Sequence, residues 1–270
     1  MSKINSKAII DSQARIGKNV EIGPFTIIEK DVEIGDNVFI GARCTIHSGS
    51  KIGKNSHIYD GVIIGMQPQD LKYNGEKTTV IIGENTQIRE MASIERGTVT
   101  GSGYTSIGNN TLIMSLVHIA HDCQVGNDVI ISHGSGLAGH VIVEDMAVIG
   151  GMSGVHQFCR IGSMTMIGGM SKVTQNVPPF LLVDGAPAKV AGVNFIGLRR
   201  RGLSQEVRSE IKKAYKILYR QGKTVSQAID EIAKNLQGYP EIDQFLRFLQ
   251  DVGRGICSAR KYEERNEADE

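Results

Sequence analysis

Ile16-Gly-Lys-Asn-Val-Glu, Ile22-Gly-Pro-Phe-Thr-Ile, Ile28-Glu-Lys-Asp-Val-Glu and Ile34-Gly-Asp-Asn-Val-Phe follow one another without a gap, and the isoleucine that opens each hexad decides the fold. Extended in both directions, the spacing gives Ile10, Ile16, Ile22, Ile28, Ile34, Ile40, Ile46, Ile52, Ile58 and Ile64. The phase returns at Ile82, Ile88 and Ile94, slips by one residue, and runs from Ile107 through Ile113, Ile119, Val125, Ile131, Leu137, Val143, Ile149, Val155, Ile161 and Ile167 to Val173. Neither a helix nor an alternating strand has this period. One inward aliphatic per hexad is the signature of a parallel β-helix, in which three short flat strands and the bends between them make one coil. Glycine after the aliphatic, as at Gly17, Gly23, Gly35, Gly53 and Gly108, is expected where the backbone bends tightly and a Cβ would crowd it. The period leaves the hand of the coil open, and a bare repeat is equally a rigid rod.

The 270 residues are 40% apolar but only 5% aromatic, with no Trp, which suits a narrow prism filled by small aliphatics. Cys44, Cys123, Cys159 and Cys257 show neither paired nor metal-like spacing and are expected to be reduced thiols in a cytoplasmic protein. The polar N-terminus enters the repeat almost at once, so no signal peptide is expected, and no apolar run is long enough to span a membrane. A formal net charge of +1 argues against general nucleic-acid binding.

The repeat is interrupted from Met66 to Thr79, where two hexads are replaced, and again around Gly97 to Ser106. Both are expected to be loops thrown out from the prism. The first is dense in hydrogen-bonding groups, Gln69, Asp70, Lys72 and Tyr73, and is expected to touch a ligand or a subunit. The β-helix is expected to occupy residues 1–180, ending near Asn176-Val-Pro-Pro-Phe. In residues 181–257, apolar residues at spacings of three and four from Val207 to Val252 predict three amphipathic helices. Residues 258–270 form a charged tail expected to fray.

Residues eighteen apart stack on neighbouring coils, about 4.8 Å apart along the ladder. His121, Gly139 and Gln157 therefore form one column, and Asp122, His140 and Phe158 the next, with His156 and His118 close by. Three converging imidazoles would suit zinc, and a plain polar face is the other reading. General-base chemistry fits better: His121 has Asp122 to hold its tautomer, and Gly139 leaves a backbone N–H uncovered to receive developing negative charge. Gly150 and Gly168, and Gly151 and Gly169, also stack, which predicts a groove lined by Met152, Met166 and Met170 and suited to a hydrocarbon chain. For Gly150 and Gly168 the alternative is a tight bend.

His118-Ile-Ala-His-Asp122, Ala138-Gly-His-Val, Val155-His-Gln-Phe-Cys, Gln69-Asp-Leu-Lys-Tyr73 and Gly192-Val-Asn-Phe-Ile-Gly-Leu-Arg-Arg-Arg-Gly together resemble the UDP-N-acetylglucosamine 3-O-acyltransferases of lipid A synthesis, within the hexapeptide-repeat superfamily. The resemblance spans essentially the whole chain. It implies a left-handed β-helix and a homotrimer with active sites between subunits. It implies transfer of a (3R)-hydroxyacyl chain from acyl carrier protein to UDP-N-acetylglucosamine, with no cofactor beyond the carrier's phosphopantetheine and no metal. His121 would be the general base, Asp122 its orienting partner and Gly139 N–H the oxyanion donor. Asp70, Lys72, His118, His140 and Gln157 match positions that hold the sugar nucleotide or acyl hydroxyl; Asn194, Arg200 and Arg201 match those near uridine and diphosphate. Gly151, His156, Met166 and Gly169 would line the acyl groove. Basic residues such as Lys212, Lys213, Lys216 and Arg220 are candidates to meet the acidic carrier protein.

Two residues depart from the family's enterobacterial pattern: Glu95 stands where His is expected, and Ile196 where Glu is. They leave a 3-amino sugar nucleotide open as an alternative acceptor. Gly169 suggests a long acyl chain. The later N-acyltransferase of the same pathway is the nearest other enzyme, but its additional uridine-binding domain has no room before Ile10.

Overall fold

The computed structural model describes residues 2–260; Met1 and residues 261–270, which carry most of the expected charged tail, lie outside the described residues. Each hexad yields a short strand ending at its column aliphatic, such as Glu21–Ile22, Ile27–Ile28 and Glu33–Ile34. Each strand pairs in parallel with the one three hexads on, so Ile22 meets Ile40, Ile28 meets Ile46 and Ile34 meets Ile52. Among the described residues this gives three sheets of 11, 9 and 8 strands, the faces of a left-handed parallel β-helix. The first face starts at Lys3–Ile4, the second at Ile9–Ile10 and the third at Arg15–Ile16.

The column aliphatics from Ile22 to Val173 are buried, and beside them runs a second inward column that the six-residue period of the large aliphatics hides. It holds small residues two positions earlier, including Val20, Thr26, Val32, Cys44, Val117, Cys123 and Cys159. Three of the four cysteines are thus core fillers, and all four are free and buried. Burial pushes the Cys123 thiol up to about 12, which removes it as a nucleophile at neutral pH. Truncating a fully buried column residue such as Ile113 to Ala is expected to cost about 2–5 kcal/mol.

The glycines after the aliphatics do not make the bends. A Cβ at Gly23 would lie 2.6 Å from the carbonyl carbon of Gly41 on the next coil, so glycine is needed there for close stacking. The left-handed backbone falls two residues later, on Asn19, Asn37 and Asn55 with φ of 55°, 58° and 58°. Their amides ladder up the prism, Asn19 Nδ2 donating to Asn37 Oδ1 at 3.2 Å and Asn37 Nδ2 to Asn55 Oδ1 at 3.1 Å.

Both interruptions are insertions at one corner, between the second and third faces. Ile64 of the second face is followed by Ile82 of the third, which pairs with Ile52, so no hexads are replaced. The loops span residues 67–78 and 96–103 and share a base: Thr79 N–H donates to Gly103 O at 3.1 Å, and Gly97 N–H to Thr79 O at 3.3 Å. Arg96 ties that base down, Nε to Gly65 O at 2.9 Å and a terminal nitrogen to Ser48 O at 2.8 Å.

The first sheet runs past the paired prolines, since Leu181–Asp184 pairs with Met166–Ile167 before a hairpin to Lys189–Val193. Among the described residues four helices follow rather than three: α1 Phe195–Arg200, α2 Gln205–Arg220, α3 Val225–Asn235 and α4 Pro240–Gln250. Asn194, Ser204 and Thr224 cap the first three by accepting backbone N–H groups of Gly197, Val207 and Gln227. Six residues are too few for α1 to show a period, which is why spacing did not reveal it. Among the described residues, no helix is long and apolar enough to cross a membrane.

Candidate active site

On the coils just after the loops, the corner between the second and third faces carries His121-Asp122, Gly139-His140 and Gln157-Phe158 in stacked registers. His140 N–H donates to His121 O at 3.0 Å and Phe158 N–H to Gly139 O at 3.1 Å, which fixes the two columns. The His140 ring lies flat on Phe158 at 4.4 Å and meets the His121 ring edge-on at 5.0 Å. Beside them a cleft of about 530 Å³ runs along the second face, walled by His118, His121, Gly139 and His156. Its floor lies over Gly136 and Gly154, stacked in one outward column where a Cβ would meet nothing within 4 Å.

His121 Nδ1 donates to Asp122 Oδ2 at 2.8 Å, which leaves Nε2 as the basic nitrogen. Its ring rests on Gly139: a Cβ there would lie 2.6 Å from Cε1 and 2.7 Å from Nε2. Ala138 and His140 N–H are bonded to Val155 O and His121 O, whereas among the described residues no acceptor pairs with Gly139 N–H.

Asp122 is buried, yet both its oxygens are filled by donors from the second loop. Thr98 N–H reaches Oδ1 and Oδ2 at 3.0 and 3.1 Å, Thr98 Oγ1 reaches Oδ2 at 2.7 Å, and Ser102 N–H and Oγ reach Oδ1 at 2.9 and 3.1 Å. Burial pushes the Asp122 carboxyl up, but the hydrogen bonds from Thr98, His121 and Ser102 outweigh it and hold the group below its ordinary range. Burial pushes the His140 imidazole down, with neighbouring His121 adding to that and Asp122 and Asp70 opposing it. His121, Asp122 and His140 bring ligand-type atoms within 4.8 Å of one another, but a cation on Asp122 would have to displace donors already seated there. The set fits a base and its anchor better than a metal cage.

Glu95 is fully buried in the same wall. Its Oε2 accepts His121 N–H at 3.1 Å, while Oε1 has no hydrogen-bond partner and lies 3.6 Å from His118 Nε2. His118 is held through Nδ1 by Ser93 Oγ at 2.9 Å. The first loop brings Gln69 to the cleft; Asp70 accepts Lys72 N–H at 3.0 Å in a tight turn, and Lys72 is exposed. His156 and Gln157 are exposed, His156 Nδ1 lying 3.2 Å from Gln157 O.

The other predicted residues stand elsewhere. Gly151 and Gly169 lie at the next corner, where added Cβ atoms would meet His133 O at 3.2 Å and Gly151 O at 3.3 Å respectively; Gly150, whose Cβ would lie 2.5 Å from Gly169 N, is there for stacking. Met166 is on the first face. It lines a groove of about 680 Å³ with Ile130, Val148 and Leu182, whose mouth carries Asn194, Arg200 and Arg201. The Asn194 side chain caps α1 and donates to Met164 O at 2.9 Å, Arg201 reaches Asp128 O at 3.2 Å, and Arg200 is exposed.

A family model described as UDP N-acetylglucosamine O-acyltransferase, domain 2, matches residues 176–257, and the bacterial transferase hexapeptide model matches residues 13–48 and 104–139. The chain is 48% identical over 257 residues to the acyl-carrier-protein-dependent UDP-N-acetylglucosamine O-acyltransferase of Thermodesulfovibrio yellowstonii, covering 95% of this chain and 100% of that one. The same-named Pseudomonas aeruginosa protein is 44% identical over 256 residues, covering 95% and 99%. Among solved structures, the UDP-N-acetylglucosamine acyltransferase of Bacteroides fragilis superposes with a TM-score of 0.91 at 42% identity, covering 93% of this chain and 98% of that one. The Acinetobacter baumannii structure gives 0.92 at 41%, covering 94% and 99%. With likeness of this degree over nearly full length on both sides, the chain belongs to the UDP-N-acetylglucosamine O-acyltransferase family.

Proposed function

We infer that this chain moves a (3R)-hydroxyacyl group from acyl carrier protein to the glucosamine 3-hydroxyl of UDP-N-acetylglucosamine, the first step of lipid A synthesis, with His121 as general base. The observation that carries the reading is the His121 ring, tied to Asp122 at 2.8 Å through Nδ1 and seated over Gly139 with Nε2 unused. Nε2 takes the hydroxyl proton as the oxygen attacks the thioester carbonyl. Gly139 N–H receives the charge on the tetrahedral oxygen, and collapse breaks the carbon–sulfur bond, the proton passing from His121 to the departing phosphopantetheine thiolate. Transfer is direct, since among the described residues the corner offers no activated Ser or Cys, Cys123 being held protonated by burial.

Asp70, Lys72, His118, His140 and Gln157 would hold the sugar nucleotide or the acyl hydroxyl, and Gly151, His156, Met166 and Gly169 the acyl chain. Asn194, Arg200 and Arg201 would take the uridine diphosphate, Arg through its forked donors. These sets stand on different faces of one prism, and a neighbouring subunit that turns its first face to this corner would unite them. That supports a homotrimer with shared sites, working in the cytoplasm. Lys212 and Lys216 on α2 are candidate contacts for the carrier protein; Lys213 is paired with Glu210 at 2.7 Å and Arg220 with the Tyr215 hydroxyl.

The test is His121→Ala with circular dichroism and a thermal melt beside the assay. Loss of turnover in a folded protein supports the reading; turnover near that of the unaltered enzyme would remove His121 from the chemistry.

A further inference from the structure

The geometry points to Thr98 as a positioning residue: together with Ser102 it makes the second loop the clamp that holds Asp122 as a fixed acceptor for His121 Nδ1. This inference rests on the reading of His121 as the base. A regular coil turns this corner without any such segment, since His121 and Gly139 are joined through an ordinary 18-residue coil, whereas the loop lengthens its own coil so that partners stand 25 residues apart. The extra chain is spent on Asp122. Three donor groups of the loop, the Thr98 and Ser102 N–H groups and the Thr98 hydroxyl, converge on one carboxylate and His121 supplies the fourth, while the Ser102 hydroxyl, 3.1 Å from Oδ1, makes its shorter bond to Tyr104 O at 2.6 Å. Gly101 is part of the fit, because a Cβ there would lie 2.4 Å from Asp122 Cγ and prop the loop away.

The Thr98 hydroxyl has a particular place in this set. Its Oγ1 bonds Oδ2 at 2.7 Å, the same oxygen that accepts from His121 at 2.8 Å. A donor on Oδ2 draws charge away from the imidazole and fixes the oxygen in the plane the ring must face. Remove that hydroxyl, and more of the carboxylate's charge is left for His121, which favours the imidazolium and loosens the ring's orientation. The base is then protonated over a wider pH range and less well aimed. The other titratable groups around the ring are unchanged by such a substitution: His140 at 5.0 Å, Glu95 on the His121 N–H, and His118 and His156 on the cleft wall.

The experiment compares the unaltered enzyme with Thr98→Val and Thr98→Ser, using UDP-N-acetylglucosamine and a hydroxyacyl carrier protein across pH, together with nitrogen-15 NMR titration of the His121 ring in the free protein. Thr98→Val, near in shape, is expected to lose roughly tenfold in kcat, with KM for the sugar nucleotide nearly unchanged, as for one charge-assisted hydrogen bond acting through orientation. The acid limb of its rate profile and the His121 titration both move to higher pH. Thr98→Ser restores the rate, the limb and the titration. The inference is overturned by a Thr98→Val enzyme with an unmoved limb and titration, by Thr98→Ser as impaired as Thr98→Val, or by a loss confined to thermal stability. Absence of turnover in the unaltered protein would fail the functional reading instead, and the NMR arm would still decide the Thr98 clamp.

Discussion

Gly139→Ala puts a number on how tightly His121, the proposed base, is seated. The added methyl would stand 2.6 Å from His121 Cε1 and 2.7 Å from Nε2, so the ring must retreat by about 0.8 Å to reach ordinary contact. Nothing else in the backbone objects, because Gly139 does not have the left-handed φ that marks other corner residues. The obstruction is a side chain at an accessible cleft, so folding is retained and the melting temperature stays close to that of the unaltered protein. The catalytic cost is much larger: a displacement near 1 Å typically costs about a hundredfold, or about 2.7 kcal/mol on the barrier. The Gly139 N–H survives the substitution, so the loss reports the position of His121 and not the removal of an oxyanion donor. Steady-state turnover with UDP-N-acetylglucosamine and hydroxyacyl carrier protein measures it, with KM for the sugar nucleotide expected to change little. A kcat within about fivefold of the unaltered enzyme would refute the seating argument.

Gly169→Met fills the corner at which Gly151 and Gly169 stack and should shift acyl preference toward shorter chains, read from competition among carrier proteins of graded length; an unchanged preference removes Gly169 from the groove. Arg200→Ala should weaken UDP-N-acetylglucosamine and UDP alike by roughly tenfold in calorimetry, the worth of one charge-assisted contact, and equal affinities before and after would place the diphosphate elsewhere. Asp122 should also govern acid stability. Its folded-state carboxyl lies below the ordinary 3.8, so its stabilisation is present above that value and fades as pH falls through the folded one. Denaturation of the unaltered protein and Asp122→Asn should therefore differ steadily near neutrality and converge in acid, and a gap that widens on acidification would contradict the sign.

The isoleucine column was legible because its positions hold large aliphatics at a fixed spacing, whereas the second inward column of small residues such as Thr26 and Cys44 was not. The column located both loops but did not show whether the first replaces hexads or is inserted between them. The first lengthens its coil to 30 residues, an excess of two full hexads, so Ile82 keeps the phase of Ile64 although it stands on the next face. An insertion that preserves the period looks the same as hexads replaced. The second loop shifts the phase by one, which was visible, but its purpose lay in contacts to Asp122 that no spacing encodes. A Thr and a Ser in a Gly-rich loop give no local sign that a carboxylate 20 to 24 residues later will sit between them. Glu95 stood out only as a departure from a familiar pattern; its bond to His121 N–H needs the fold. The histidine corner and Gly139 emerged from coil arithmetic because stacking at eighteen residues holds beyond Ile107 without interruption. Met166 stands on the first face, in the groove that also carries Asn194, Arg200 and Arg201, a neighbourhood that the glycine column alone does not reveal.

The most direct measurement mixes the purified protein with UDP-N-acetylglucosamine and (3R)-hydroxyacyl carrier proteins of graded length and identifies the products by mass spectrometry. One 3-O-acylated sugar nucleotide is expected, formed fastest from a long chain and absent with His121→Ala. No acylated product from this sugar, or acylation only of the 3-amino analogue, would contradict it.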